Sequence, residues 1–240
     1  MPANSMLKRR NPPQPLEPLF VIGNLHGCAR QLDKMLEQAP SDVQRVFIGD
    51  YIDFGPQSER VLAKVEKECA RGAIALMGNH ERMLLDFLEN PMQYGALWLR
   101  AGGDKTLSSF GITGVSALSS KPEFAFAADK LRRKMSNSSL RWFNKMAMQF
   151  DSGNIHIVHA AACPKTPMDA QSDQVRLWGD PEFFKKQRAD HEWVVHGDKI
   201  EKKPSKRCGR INIDTGVQET GTLSAVLIEM DRQKFFTVTA

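Results

Sequence analysis

From Leu19 onward, short runs of apolar residues alternate with longer stretches in which apolar positions recur every three or four residues. The runs cover residues 19–22, 46–48, 73–77, 155–158 and 193–195, and each reads as a short buried strand. Between the first three, Leu32, Met35 and Leu36 mark one helix, and Val61, Leu62 and Val65 mark a second. Strand, loop, helix, strand is the order of an α/β layer architecture. Residues 84–150 carry a helical pattern through Leu84, Leu85, Leu88, Trp98, Leu99, Leu140, Phe143 and Met146, punctuated by Gly102-Gly103, Gly111 and Pro122. They are expected to form a mostly helical insertion covering one side of the functional site. The pattern returns to strands at 210–213, 223–229 and 235–238. Residues 1–18 hold five prolines and few apolar groups, so a flexible N-terminal arm is expected ahead of one domain over 19–240.

Composition narrows the class. The chain has 240 residues, 41% hydrophobic and 25% charged, which is ordinary for a folded domain and excludes wholesale disorder. The net charge of +5 permits an anionic partner. No basic segment interleaved with aromatics accompanies it, so nucleic acid is not an expected partner. Cys28, Cys69, Cys163 and Cys208 are scattered and form no CxxC pair, which argues against a disulfide framework or a zinc ribbon. No apolar run reaches the roughly 18 residues that span a bilayer, so no membrane association is expected. The basic Lys8-Arg9-Arg10 is followed by prolines rather than an apolar stretch, unlike a secretory signal. A cytoplasmic location is expected.

The chemistry is concentrated where the runs end. Asn24 and His26 follow the first, Asp50 and Asp53 the second, and Asn79 and His80 the third. His159 follows the fourth, and His196 and Asp198 close the fifth. A lone Gly-Asp is ordinarily a turn, and a lone histidine is ordinarily a satisfied surface or core residue. Five strand ends carrying the same mixture are different, because open α/β sheets bind ligands beyond the carboxyl ends of their strands. Carboxylate, imidazole and amide oxygen together suit Mn, Fe or Zn, with Mg also compatible.

These segments resemble a known family. Gly23-Asn24-Leu25-His26-Gly27 is similar to GDxHG, residues 49–55 to GDYVDRG, and Gly78-Asn79-His80-Glu81 to GNHE. His159-Ala160 resembles the HAG motif, Leu177-Trp178 a bacterial LWxR segment, and Gly197-Asp198 stands at the place of a GHT motif. Together they resemble the calcineurin-like metallophosphoesterases, in the bacterial phosphoprotein phosphatase branch. That branch includes small serine/threonine phosphatases and symmetrical diadenosine tetraphosphatases. The resemblance implies a layered β-sandwich flanked by helices and two divalent metal ions. Its substrate would be a phosphorylated or nucleotide small molecule, or a phosphoprotein. It also implies roles: Asp50 bridging, Asn24 and His26 completing the first ion site, and Asn79, His159 and Asp198 completing the second. His80 would protonate the leaving oxygen, oriented by Asp53.

Four departures fall on these positions. Asn24 replaces an aspartate and Asp198 a histidine. Phe54 and Asp180 stand where the resemblance implies phosphate-binding arginines. Each lost guanidinium removes charge-assisted hydrogen bonds worth about 1.5–3 kcal/mol apiece. Lys199 and Arg176 are the nearby cations that could compensate, and Phe54 could stack on a base. The changes predict a phosphoesterase with impaired or lost catalysis. The alternatives are an active enzyme with altered metal preference and substrate pocket, and a pseudophosphatase serving as a binding module for a protein partner.

Overall fold

The computed structural model describes residues 11–240. In chain order the first half contains β1 (Leu19–Ile22), α1 (Ala29–Gln38), β2 (Gln44–Phe47), α2 (Ser58–Cys69) and β3 (Ile74–Ala75). Five helices follow: α3 (Asn79–Glu89), α4 (Pro91–Trp98), α5 (Asp104–Ser109), α6 (Lys121–Lys134) and α7 (Asn137–Asn144). The second half contains β4 (Gln149–Ser152), β5 (Ile155–Val158), α8 (Asp173–Trp178), β6 (Trp193–His196), β7 (Ser205–Arg207) and β8 (Arg210–Asn212). It closes with α9 (Val217–Thr220), β9 (Thr222–Glu229) and β10 (Arg232–Thr239).

The strands form two five-stranded sheets, ordered β10-β9-β1-β2-β3 and β4-β5-β6-β8-β7. In the first, β1, β2 and β3 are parallel, while β9 returns antiparallel to β1. In the second, β5, β6 and β8 are parallel, with β4 and β7 antiparallel on the edges. Alternation along each strand explains why the sheets stack. Leu19, Val21, Val46, Val226 and Ile228 face inward from the first sheet and meet Ile155, Ile157, Trp193, Val195 and Ile211 of the second. The intervening residues Phe20, Ile22 and Phe47 face outward and are covered by Leu32 and Met35 of α1 and Val61, Leu62 and Val65 of α2. Each such side chain contributes about 1.5–3 kcal/mol by leaving water. The layered α/β sandwich flanked by helices agrees with the architecture expected from the sequence.

The helical stretch between β3 and β4 packs on itself and, through α5, on α2. Phe87 of α3 stacks on Trp98 of α4, with ring centroids 4.6 Å apart. Residues 11–18, part of the arm expected to be flexible, make hydrogen bonds to the second sheet. Asn154 in the β4–β5 turn donates through Nδ2 to Pro12 O at 3.0 Å and accepts from Gln14 N at 2.7 Å. Trp193 Nε1 donates to Asn11 O at 2.8 Å, and Leu16 N donates to Ser152 Oγ at 2.9 Å. Proline lacks an N–H but keeps its carbonyl, so a proline-rich strand can still be held by donors that reach out to it. The remainder of the arm, residues 1–10, lies outside the described residues. Among the described residues, no helix is long and apolar enough to cross a membrane.

Candidate metal centre

Parallel pairing in register brings the loops together. Ile22 lies opposite Phe47, and Phe47 opposite Ala75, so the loops after β1, β2 and β3 emerge side by side. Leu25 N and His26 N both donate to Asp50 O, at 2.9 and 2.8 Å, tying the first loop to the second. Gly197 N donates to His159 O at 2.7 Å and ties the loop after β5 to the one after β6. The backbone is bent to deliver the side chains. His26, Asp50, Asp53, Phe54 and Asp198 all have positive φ, between 39° and 71°, the region most L residues avoid. Such strain persists only where surrounding contacts over-determine it, and it clusters at functional sites. Gly78 is needed for closeness: a Cβ there would lie 2.4 Å from both Asp50 N and Asp50 Oδ1.

Asp50 is the hub and is almost fully buried, at 2% exposure. Its Oδ2 accepts from Asn24 Nδ2 at 3.0 Å and lies 3.4 Å from His26 Nε2. Its Oδ1 accepts from His80 N at 3.2 Å and lies 3.4 Å from His159 Nε2. Burial alone would raise its pKa, but the imidazoles of His159, His80 and His26 outweigh this and hold it low. Both flanking imidazoles are oriented by backbone carbonyls. His26 Nδ1 pairs with Ile52 O at 3.0 Å and His159 Nδ1 with Ile48 O at 2.8 Å. An Nδ1–H donated to a carbonyl leaves Nε2 as the free ligand nitrogen facing Asp50. The two then differ. Burial lowers the His26 pKa to about 4. At His159 burial acts the same way, yet the charges of Asp50 and Asp198 raise it.

His80 forms a separate unit with Asp53, its Nδ1 lying 2.7 Å from Asp53 Oδ2. Trp98 Nε1 donates to the same oxygen at 3.0 Å, and Thr106 Oγ1 donates to Oδ1 at 2.6 Å. Burial pushes the Asp53 pKa up, and the hydrogen bonds from His80, Thr106 and Trp98 oppose that rise. Burial would lower the His80 pKa, but the charges of Asp50 and Asp53 and the hydrogen bond raise it to about 9. The imidazole is therefore held protonated, oriented and beside Asp50, as a proton donor requires.

The groups that could hold an ion fall into two sets sharing Asp50. His26, Asp50 and His80 form one, and Asp50, His159 and Asp198 the other, with ligand atoms within 4.8 Å of one another in each. The second set fits a divalent cation. It has two carboxylates and an imidazole nitrogen, and Asn79 Oδ1 lies 2.9 Å from His159 Nε2. The first set does not reproduce the arrangement implied by the resemblance. Asn24 turns its N–H group, not its oxygen, toward Asp50, and its Oδ1 is buried with no hydrogen-bond partner.

The remaining expected residues are placed as follows. Phe54 is 44% exposed and packs edge-on against both His26 and His80, with centroids 5.1 and 5.2 Å away. Asp180 is not part of the cluster around Asp50. It closes a local turn, accepting from Glu182 N at 2.7 Å, because the chain bends sharply after Gly179. Arg176 donates to Gln149, Asp173 and Met168 O, and Lys199 lies 4.3 Å above the Phe184 ring. Both cations proposed to compensate for lost arginines are thus engaged elsewhere. The Cys28 thiol is pushed up to about 11 by burial, which keeps it protonated.

Several contributors escape sequence reasoning. Glu81 is fully buried and accepts from Asp50 N, Tyr51 N and Gly78 N at 2.7, 2.8 and 3.0 Å, pinning the loop after β2 to the start of α3. Its position beside His80 was the available signal. Trp98 and Thr106 come from the helical stretch and reach Asp53 over 45 and 53 residues, which no local pattern discloses. Asp214 is buried near the centre, and burial raises its pKa to about 6.

The calcineurin-like phosphoesterase family profile matches residues 18–201. A serine/threonine-protein phosphatase 1 from Salmonella typhimurium is 38% identical over 89 residues, 36% of this chain and 39% of that protein. A bis(5'-nucleosyl)-tetraphosphatase PrpE (asymmetrical) from Oceanobacillus iheyensis is 23% identical over 225 residues, covering 82% of each chain. Among solved structures, a cold-active protein-tyrosine phosphatase of a psychrophilic Shewanella superposes with a TM-score of 0.61. It is 15% identical, over 93% of this chain and 80% of that one.

Proposed function

The chain belongs to the calcineurin-like phosphoesterase family, and we propose that it is a metal-dependent phosphoesterase of low turnover. The observation that carries this reading is the pairing of two intact elements around Asp50. One is a cation site built from Asp50, Asn79, His159 and Asp198. The other is a buried imidazole, His80, held protonated by Asp53. A divalent ion in such a site supplies positive charge to the phosphoryl oxygens and lowers the pKa of a water. The residues of the chain do the rest. Asp50 and Asp198 would hold such an ion by charge, while Ile48 O fixes the His159 ring. His80 delivers its proton to the departing oxygen, and Asp53 keeps that proton on the side facing the substrate.

Low turnover follows from what surrounds the site. Phe54 presents an aromatic edge where the resemblance implies a guanidinium, and Arg176 and Lys199 are committed to other partners. Among the described residues, phosphate binding would then rest on His80 and on the ion that the site would hold. The substrate is a phosphate ester of the kinds named for its relatives, phosphoprotein or dinucleoside polyphosphate. Phe54 favours the nucleotide, because an exposed ring beside the acid offers a surface for a base. The test is hydrolysis of p-nitrophenyl phosphate and diadenosine tetraphosphate with Mn²⁺. Slow turnover that His80→Ala abolishes supports the reading. No turnover of either substrate by metal-loaded protein removes it in favour of a binding module.

A further inference from the structure

We propose that the centre holds one divalent ion rather than two, because the Asn24 amide already occupies the place of the other. The proposal rests on the metal-dependent reading above and concerns how many ions that reading involves.

The two sides of Asp50 differ in what they lack. On the His159 side, Nδ1 is committed to Ile48 O, yet Nε2 also faces oxygens, Asn79 Oδ1 at 2.9 Å and Asp50 Oδ1 at 3.4 Å. A ring nitrogen between two acceptors is satisfied only by a cation, whether a proton or a metal. Asp198 adds a second carboxylate to the same side. On the other side, Asp50 Oδ2 already accepts a hydrogen bond from Asn24 Nδ2 at 3.0 Å. An ion there must break this charge-assisted bond and meet an N–H group, which cannot ligate. Turning the amide over would not come free, since it would bury the Nδ2 donors where Oδ1 now sits with no hydrogen-bond partner. The Phe54 ring, against both His26 and His80, covers this side as well.

Charge counting agrees. Asp50 and Asp198 together carry two negative charges, which one divalent ion neutralises. The His26 side has no carboxylate of its own to hold a second ion, since Asp50 is shared.

The experiment counts ions. Chelated protein is reloaded with Mn²⁺, desalted and analysed by elemental analysis, and Mn²⁺ is titrated calorimetrically. The expected stoichiometry is one per chain, with the spectrum of an isolated ion in electron paramagnetic resonance. His26→Ala should still bind one, Asp198→Ala should lose it, and Asn24→Asp should bind two. Two ions in the unmodified protein overturn the inference and leave the metal-dependent reading standing. One ion that His26→Ala loses and Asp198→Ala keeps also overturns it, by placing the ion on the wrong side. One ion in a folded Asn24→Asp overturns the role of the amide. No ion in either the unmodified protein or Asn24→Asp removes both readings. If circular dichroism finds Asn24→Asp unfolded, the first three proteins decide the matter alone.

Discussion

His80 Nδ1 and Asp53 Oδ2 lie 2.7 Å apart, both side chains buried, and Trp98 Nε1 reaches the same oxygen from the helical stretch at 3.0 Å. Asp53→Asn removes the charge that holds the His80 proton. Hydrolysis of p-nitrophenyl phosphate should fall by about 10²–10⁴-fold. The alkaline limb of the pH–rate profile should move below its position near 9, since that value depends on the anion. An unmoved limb would mean that His80 is not the group titrating there.

Phe54→Arg restores a fork of donors beside His80. Inorganic phosphate should inhibit the variant more tightly, by about ten- to a hundredfold, from a gain of about 1.5–3 kcal/mol per charged hydrogen bond. The inhibition constant of phosphate in the Mn²⁺-loaded protein reads this directly. An unchanged constant would place residue 54 away from the phosphate.

Glu81→Gln should destabilise the fold by about 1–3 kcal/mol, the cost of leaving buried partners unsatisfied. Three backbone N–H groups converge on this carboxylate, and an amide nitrogen in place of one oxygen would face donors with donors. Thermal melts of the metal-free proteins test this without reference to activity. Equal melting temperatures would show that the loop after β2 is pinned by something else.

Gly197→Ala places a methyl group 2.4 Å from Asn24 Oδ1 and 2.7 Å from Ile48 Cδ1. Overpacking of this kind costs about 1–3 kcal/mol. The neighbouring Asp198 should shift, so Mn²⁺ affinity should fall along with the melting temperature. A variant that melts lower yet binds Mn²⁺ unchanged would separate the two effects and argue that Asp198 is no ligand.

Away from the centre, His156 lies between Asp151, 2.6 Å from its Nδ1, and Glu192, 3.1 Å from its Nε2. Burial would lower its pKa, but the two carboxylates outweigh burial and raise it. The imidazolium therefore stabilises the fold fully below about 6.5, the unfolded value. That stabilisation is lost as pH rises through the higher folded value. Melting temperatures of the unmodified protein and His156→Gln should differ most at pH 6, and the gap should narrow as pH rises toward 9. A constant gap would refute the ionic account.

The sequence disclosed the parts of this molecule that depend on local pattern. The strands ending at Ile22, Phe47 and Ala75 and the polar groups beyond them are visible because burial demands apolar runs and chemistry demands polar ends. The structure brings Asn24, His26, Asp50, Asn79, His159 and Asp198 to one place, which spacing alone could only suggest. What stayed hidden is non-local. Trp98 and Thr106 serve Asp53 from a region read only as helical packing. The docking of residues 11–18 depends on donors from Asn154 and Trp193, far along the chain. The turn that Asp180 closes with Glu182 N was also hidden, because a motif gives sequence order but not the direction in which a turn throws a side chain.

The placement of the strands around the inner core has a mechanical consequence. Asp50 and Asn79 come from the first sheet, whereas His159 and Asp198 come from the second. Asn24 and His26, by contrast, sit on the same sheet as Asp50. A cation on the His159 side therefore rivets two halves already joined by hydrocarbon contact and the His159–Ile48 hydrogen bond, and a cation on the His26 side would not. At a hundredfold excess over its dissociation constant such a rivet adds about 2.7 kcal/mol to stability. Chelation should then speed amide exchange most at the seam, in the turns beyond β5 and β6, and least beneath α1 and α2.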